Sequence, residues 1–206
     1  MKNKFYLILV LLSFLLSACG ENTNQTGDDS KLNAQNNTTD KIKTSKSLPS
    51  IKYHFEFENS KKQANILDIK DDKYTFKNIK QPIVIITVMA TWCPPCRGQI
   101  PHLSKLQQKF KENVFVMSTL IHDDISIEKL DKFIIAQKML FYVSTNQKEN
   151  LRFTEMITPK LGLDKDFPMP LTLVFVRGKY FTHYEGMIPE EMIESDIKQL
   201  LEKIKK

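Results

Sequence analysis

Ile83-Val84-Ile85-Ile86-Thr87-Val88-Met89-Ala90-Thr91-Trp92-Cys93-Pro94-Pro95-Cys96 is the stretch on which the fold turns. It opens with a nearly continuous β-branched run, the composition of a central strand buried on both faces. Beyond Cys96, Ile100, Leu103, Leu106 and Phe110 recur at helical spacing, so the two cysteines stand where a buried strand becomes a helix. Cys93 is then expected to cap that helix. Unpaired amides and the positive end of the helix dipole stabilise a thiolate there, below the free thiol pKa of about 8.5. The thiolate is the attacking species in disulfide exchange, which makes Cys93 the expected exposed nucleophile. Cys96 lies one turn further in, on the same side, where it can resolve a mixed disulfide formed on Cys93. Pro94 and Pro95 lack amide hydrogens and fix φ, so they stiffen the loop and alter how many donors reach the Cys93 sulfur, which tunes its reduction potential.

Downstream, residues 113–120 read as a strand, 127–139 as a helix through Leu130, Phe133, Ile134 and Ile135, and 141–143 as a short strand. Strand, helix, strand in that order predicts parallel crossovers. Leu171 to Val176, a turn at Arg177-Gly178-Lys179, and Tyr180 to Tyr184 predict a hairpin, with Gly178 supplying the permissive backbone. A last helix runs from Pro189 with apolar residues at Ile193, Ile197, Leu200, Leu201 and Ile204. Upstream, Tyr53, Phe55 and Phe57 alternate with polar residues. Ile66, Leu67 and Ile69 then precede Lys73 to Phe76 across the turn Asp71-Asp72, a pattern of short strands.

The chain begins with a different grammar. A basic start, Lys2 and Lys4, leads into an apolar run from Phe5 to Leu16, the pattern of an export signal over residues 1–18. That run is too short to span a bilayer, which needs about 20 apolar residues. Leu16-Ser17-Ala18-Cys19 resembles the bacterial lipobox, which implies cleavage before Cys19 and lipidation of its sulfur. Two or more acyl chains hold a protein stably at a membrane where one does not. Residues 19–49 are dominated by Asn, Thr, Lys, Asp and Ser and cannot bury enough surface to offset their chain entropy, so they are expected to form a flexible tether. The globular domain is expected over residues 50–206.

Composition bounds the function. At 206 residues with 41% hydrophobic side chains, the chain suits one domain with appendages. Its net charge of +6 includes Lys2 and Lys4 of the expected leader. Along the sequence the remaining Lys residues are interspersed with Asp and Glu. No stacking aromatics are interleaved with them, so nucleic-acid binding is not expected. The charge reads as a solvated surface with a mild preference for anionic lipid. Three cysteines are too few for a disulfide framework or a four-thiolate zinc site, and His54, His102, His122 and His183 have no paired ligand spacing. No metal and no cofactor is expected.

Ala90-Thr91-Trp92-Cys93-Pro94-Pro95-Cys96-Arg97 resembles the active-site signature of the thioredoxin superfamily, in particular its TlpA, ResA and CcmG branch of membrane-tethered bacterial proteins. Pro101 matches that family's helix proline, and Pro170, abutting the strand that follows, matches its cis-proline, with Pro168 a rival. The resemblance implies a thioredoxin-like three-layer α/β fold, a mixed central sheet flanked by helices, here with an N-terminal strand extension. It implies that Met169 presents its backbone to a substrate chain beside Cys93, with Trp92 and Pro170 completing the contact surface. Two positions depart from the pattern. A Glu is common in this branch where Gln99 stands, and thioredoxins proper have a buried Asp where Thr87 stands, so the proton of Cys96 has to move through water or another group.

The relatives' role implies a reductase on the extracytoplasmic face, opening disulfides in exported proteins, apocytochrome c cysteines among them, and recharged by a membrane electron donor such as a transmembrane thiol reductase. The residues by themselves also allow an oxidase or folding factor working in the opposite direction, since direction depends on potential. They equally allow a non-catalytic binding module in which Cys93 and Cys96 form a structural clip.

Overall fold

The structure, a computed structural model, describes residues 52–205. The expected export signal (1–18), Cys19 and nearly all of the tether region lie outside the described residues. Eight strands and four helices follow in the order β1 (Lys52–Glu58), β2 (Ala64–Lys70), β3 (Lys73–Phe76), β4 (Ile83–Met89), α1 (Pro94–Lys109), β5 (Val114–Leu120), α2 (Ile127–Ala136), β6 (Tyr142–Ser144), α3 (Gln147–Ile157), β7 (Leu171–Val176), β8 (Lys179–Glu185) and α4 (Glu190–Lys205). A short 3-10 turn, Thr158–Leu161, continues α3.

The central sheet has the order β6-β5-β4-β7-β8. β4, β5 and β6 run parallel, joined by the crossovers through α1 and α2, while β7 and β8 are antiparallel to their neighbours. This is the mixed α/β architecture that the strand-helix-strand order predicts, with β1-β2-β3 as a separate antiparallel sheet at the amino-terminal side.

β4 is buried along its whole length and feeds two apolar layers. Ile83, Ile85 and Met89 pack with α1, α2 and α4 through Ile100, Leu103, Leu106, Leu130, Ile193 and Ile197. Val84, Ile86 and Val88 face the other layer, where Phe55, Phe57, Leu67, Phe153 and Phe175 gather. Phe153 meets both Phe55 and Phe57 edge-on at 5.5 Å between ring centroids, a favoured aromatic geometry. The three-stranded sheet is therefore tied into the core by side chains. Tyr142 adds a polar tie, the single proton of its hydroxyl shared between the carbonyls of Phe57, at 2.7 Å, and Gln63.

α3 is the element that sequence periodicity does not reveal. Its inward stripe is Asn150, Phe153, Thr154 and Ile157, at helical spacing but half polar. Asn150 is fully buried because its neighbours satisfy it: it accepts from the Ser144 hydroxyl and donates to the carbonyls of Leu120 and Ser144. The helix expected over 127–139 stops at Ala136, and the remaining boundaries agree within a residue or two.

The β7-β8 hairpin closes through Arg177 and Gly178, both at positive φ (48° and 74°), the backbone of a two-residue type I′ turn. Gly178 is required for a second reason. A Cβ there would meet the Tyr74 carbonyl oxygen at 2.5 Å, because the Tyr74 amide donates to the Gly178 carbonyl at 2.8 Å.

Candidate active site

β4 ends at Met89 and delivers Thr91 to Cys96 to the edge of the sheet, where two loops are fastened together. The Thr91 amide and hydroxyl both donate to the carboxylate of Asp123, which is buried just beyond β5. The Trp92 indole donates to the His122 carbonyl at 2.8 Å. The turn carrying the cysteines is thus pinned to the turn following the next strand. Neither Asp123 nor His122 stands out in the sequence, because each partner lies about thirty residues away.

Cys93 is the N-cap of α1, with φ −80° and ψ 114°, and its Sγ accepts from the Cys96 amide at 3.3 Å. Pro94 and Pro95 fill the first two helical positions and carry no N–H, so the Cys96 amide is the first one after Cys93 able to point at the sulfur. Cys93 and Cys96 form a disulfide, with Cα atoms 5.3 Å apart. The expectation of an exposed Cys93 needs correction for this bridged state: Cys93 is only 4% accessible and Cys96 1%, because the Cys93 sulfur is turned inward onto its partner. Trp92 beside it is 58% exposed.

The far wall of the site comes from the β7 end of the sheet. The Met169 carbonyl oxygen lies 4.0 Å from Cys93 Sγ, and the Met169–Pro170 peptide bond is cis, whereas Pro168 has no cis bond. The Pro170 carbonyl accepts from Gly186 at 2.9 Å. Gly186-Met187-Ile188 then wraps over the start of α1. The Ile188 amide donates to Gln99 Oε1 at 2.9 Å, and the Ile188 carbonyl lies 3.2 Å from His102 Nδ1. Met187, 55% exposed, rests its sulfur over Gly98. This methionine joins Trp92 and Met169 around the cysteines and was not singled out in the sequence.

Gln99 is fully buried with its Oε1 occupied, while its Nε2 has no protein partner among the described residues. Thr87 pairs in register with Thr172, their hydroxyl oxygens 3.3 Å apart, both buried. Neither Gln99 nor Thr87 therefore brings a buried carboxylate to this part of the fold: one offers an amide, the other a hydroxyl. Among the described residues no cluster of His, Cys, Asp and Glu gathers that could hold a metal ion. A cleft of about 890 Å³ opens beside Met169, bordered by Ile121, His122, Leu163 and Phe167.

A bridged C-x-x-C at the head of a helix, on a mixed sheet and beside a cis-proline, defines a thioredoxin-like thiol-disulfide oxidoreductase. The comparisons agree. Residues 55–187 match the AhpC/TSA family, and the chain belongs to it. It is 23% identical over 138 residues to thiol-disulfide oxidoreductase ResA of Bacillus thuringiensis subsp. konkukian, an alignment covering 66% of this chain and 73% of that one. The fold matches the crystal structure of a thioredoxin family thiol:disulfide interchange protein from Chlorobium tepidum, with a TM-score of 0.56 and 16% identity over 72% of this chain and 93% of that one. It also matches the solution structure of a thiol:disulfide interchange protein from Bacteroides sp., with a TM-score of 0.51 and 16% identity over 72% and 89% of the two chains.

Proposed function

We propose that this protein is a disulfide reductase of the extracytoplasmic face, held to a membrane by lipid on Cys19 and acting on exported proteins. The observation that carries the catalytic part is the Cys93 sulfur at a helix N-terminus with the Cys96 amide aimed at it from 3.3 Å. That donor and the helix dipole favour the thiolate over the thiol.

In the reduced protein the Cys93 thiolate attacks one sulfur of a substrate disulfide. The substrate S–S bond breaks, its second sulfur leaves as a thiolate that takes up a proton, and a Cys93–substrate disulfide forms. Cys96 then gives up its proton and attacks Cys93 Sγ, releasing the second substrate thiol and leaving the Cys93–Cys96 bridge. Two electrons pass to the substrate, and a membrane dithiol donor restores the protein. Trp92, Met169 and Pro170 form the surface against which the substrate backbone lies, and Pro94, Pro95 and Gln99 tune the couple.

Among the described residues no helix is long and apolar enough to cross a membrane, so attachment in this reading falls to Cys19. Apocytochrome c cysteines are the substrate class suggested by ResA-type relatives. The test is a Cys96→Ser variant produced in the native host. It should accumulate a mixed disulfide through Cys93 that names the substrate, while the native protein equilibrated with glutathione should show a potential near the reducing end, about −270 mV, of the superfamily range. A potential near −120 mV makes the protein an oxidase instead. In cell fractions Cys19→Ser should leave the membrane or remain unprocessed in a way the native chain does not.

A further inference from the structure

We infer that the pole of the domain farthest from Cys93 is a docking face for an anionic phospholipid bilayer. β7 spans the two poles. Just before its start the Met169 carbonyl stands beside Cys93 Sγ, and six residues after Leu171, about 20 Å along at strand rise, Arg177 opens the hairpin turn. Around that turn a cleft is lined by Lys70, Lys73, Lys160, Arg177 and Lys179, all exposed, with Asp71 and Asp72 the carboxylates among them. Lys52 pairs in register with Lys70 at its edge. The Arg177 guanidinium donates to the Ile204 carbonyl at 2.9 Å, which brings the last turn of α4, with Lys203 and Lys205 beside Glu202, to the same pole. Eight cations thus face three carboxylates.

Two observations say what covers this face. Among the described residues none of these eight cations forms an ion pair, which is also true of Lys61, Lys80, Arg97, Lys129, Lys138, Lys148 and Lys165, but only here do the unpaired cations line one hollow, whereas Lys62, Lys77, Lys105, Lys109, Lys132, Arg152 and Lys198 each hold a carboxylate within 3.2 Å. The pole's charge is left for an outside anion. Lys52, at the edge of this pole, is also the first described residue. The opposite pole carries the other balance: exposed Asp124 follows the Asp123 that Thr91 binds, and the cleft beside Met169 carries Glu155, Asp164 and Asp166, against Lys165 there and the exposed Arg97 beside Cys96. An anionic surface attracts one pole and repels the other, so the domain stands with Cys93 turned away from the lipid.

The orientation rests on the Cys19 reading, but the docking face is tested without it. The probe is the chain from residue 19 carrying Cys19→Ser, mixed with vesicles of phosphatidylcholine alone or with about 30 mol% phosphatidylglycerol. Each Lys or Arg near such a surface strengthens adsorption about fivefold. Binding to the anionic vesicles should exceed binding to the neutral ones by at least about tenfold and vanish in about 0.5 M NaCl. Changing Lys70, Lys73, Lys160 and Lys179 together to Gln should remove it, with insulin reduction and the unfolding midpoint unchanged. Changing Lys61, Lys129, Lys132 and Lys148 together to Gln should leave most of it. Equal binding to both vesicles, or equal loss in the two quadruple variants, overturns the proposal. So does tighter binding of the same pole to a soluble polyanion such as heparin than to vesicles. If the pole variant does not fold, the vesicle and salt comparisons on the parent chain decide. Failure of the anchor reading shows separately, as an unchanged membrane fraction for Cys19→Ser in cells.

Discussion

The two ends of β7 are built by opposite means. At its start, side chains and backbone are pinned to one another by hydrogen bonds: Thr91 on Asp123, Trp92 on the His122 carbonyl, Gly186 on the Pro170 carbonyl, Ile188 on Gln99. At its finish, backbone pairing around Gly178 and the Arg177 bond to the Ile204 carbonyl do the fastening, and the lysines around them are solvated cations. Buried hydrogen bonds fix atoms to fractions of an ångström, which disulfide exchange demands. Solvated charges fix nothing, but they act across the Debye length of about 8–10 Å. One end is made for contact chemistry and the other for a long-range field.

Substitutions ordered from the first end toward the second should show effects that shrink accordingly. Cys93→Ser should lower insulin-reduction turnover on the order of 10³-fold or more, to background, with the fold retained by circular dichroism. Measurable turnover in that variant would mean the chemistry lies elsewhere. Asp123→Ala strands the Thr91 amide and should cost about 2 kcal/mol in urea unfolding, with slower turnover as well, since hydrogen bonds to charged acceptors run to about 1.5–3 kcal/mol. A loss of stability without any change in rate would show that the pin does not position Cys93.

Tyr142 stands between the poles, tying the amino-terminal sheet to β6. Burial pushes its hydroxyl up to about 12. The folded state therefore holds that proton more tightly than the unfolded chain, whose value is near 10. The stability this contributes is complete below about pH 10 and is lost as pH rises toward 12. Tyr142→Phe should cost about 1 kcal/mol at neutral pH and make the decline of the urea midpoint between pH 10 and 12 shallower. An unchanged alkaline limb would mean that the other raised tyrosines, Tyr74, Tyr180 and Tyr184, carry it alone. At the far pole, Lys179→Gln should shift stability by less than about 0.5 kcal/mol and leave turnover untouched. A larger change would erase the distinction between the two ends.

What was legible in the sequence follows from range. The strand running into Cys93, the placement of Cys96 one turn behind it, the Gly178 turn and the proline beside Met169 are signals that lie within a few residues of what they specify. α3 was hidden because Asn150 and Thr154 occupy half of its inward stripe, and only Ser144 and Leu120 reveal that those polar groups are satisfied. Asp123 and Met187 join the site only once β5 and β8 lie at their places in the sheet. The basic pole was invisible for the same reason. Lys70, Lys160 and Lys179 read along the chain as ordinary mixed surface, and the fold alone brings them around one hollow.

Pro94 and Pro95 leave the reactive sulfur facing one backbone donor instead of several. Because both rings are exposed at the tip of the helix, replacing Pro95 with a residue that carries an N–H adds a donor without disturbing a single core contact. The oxidising strength of the couple can thus be retuned by one codon while the core packing stays where it was, so a lineage inheriting this scaffold can change the direction of its electron traffic without redesigning the protein.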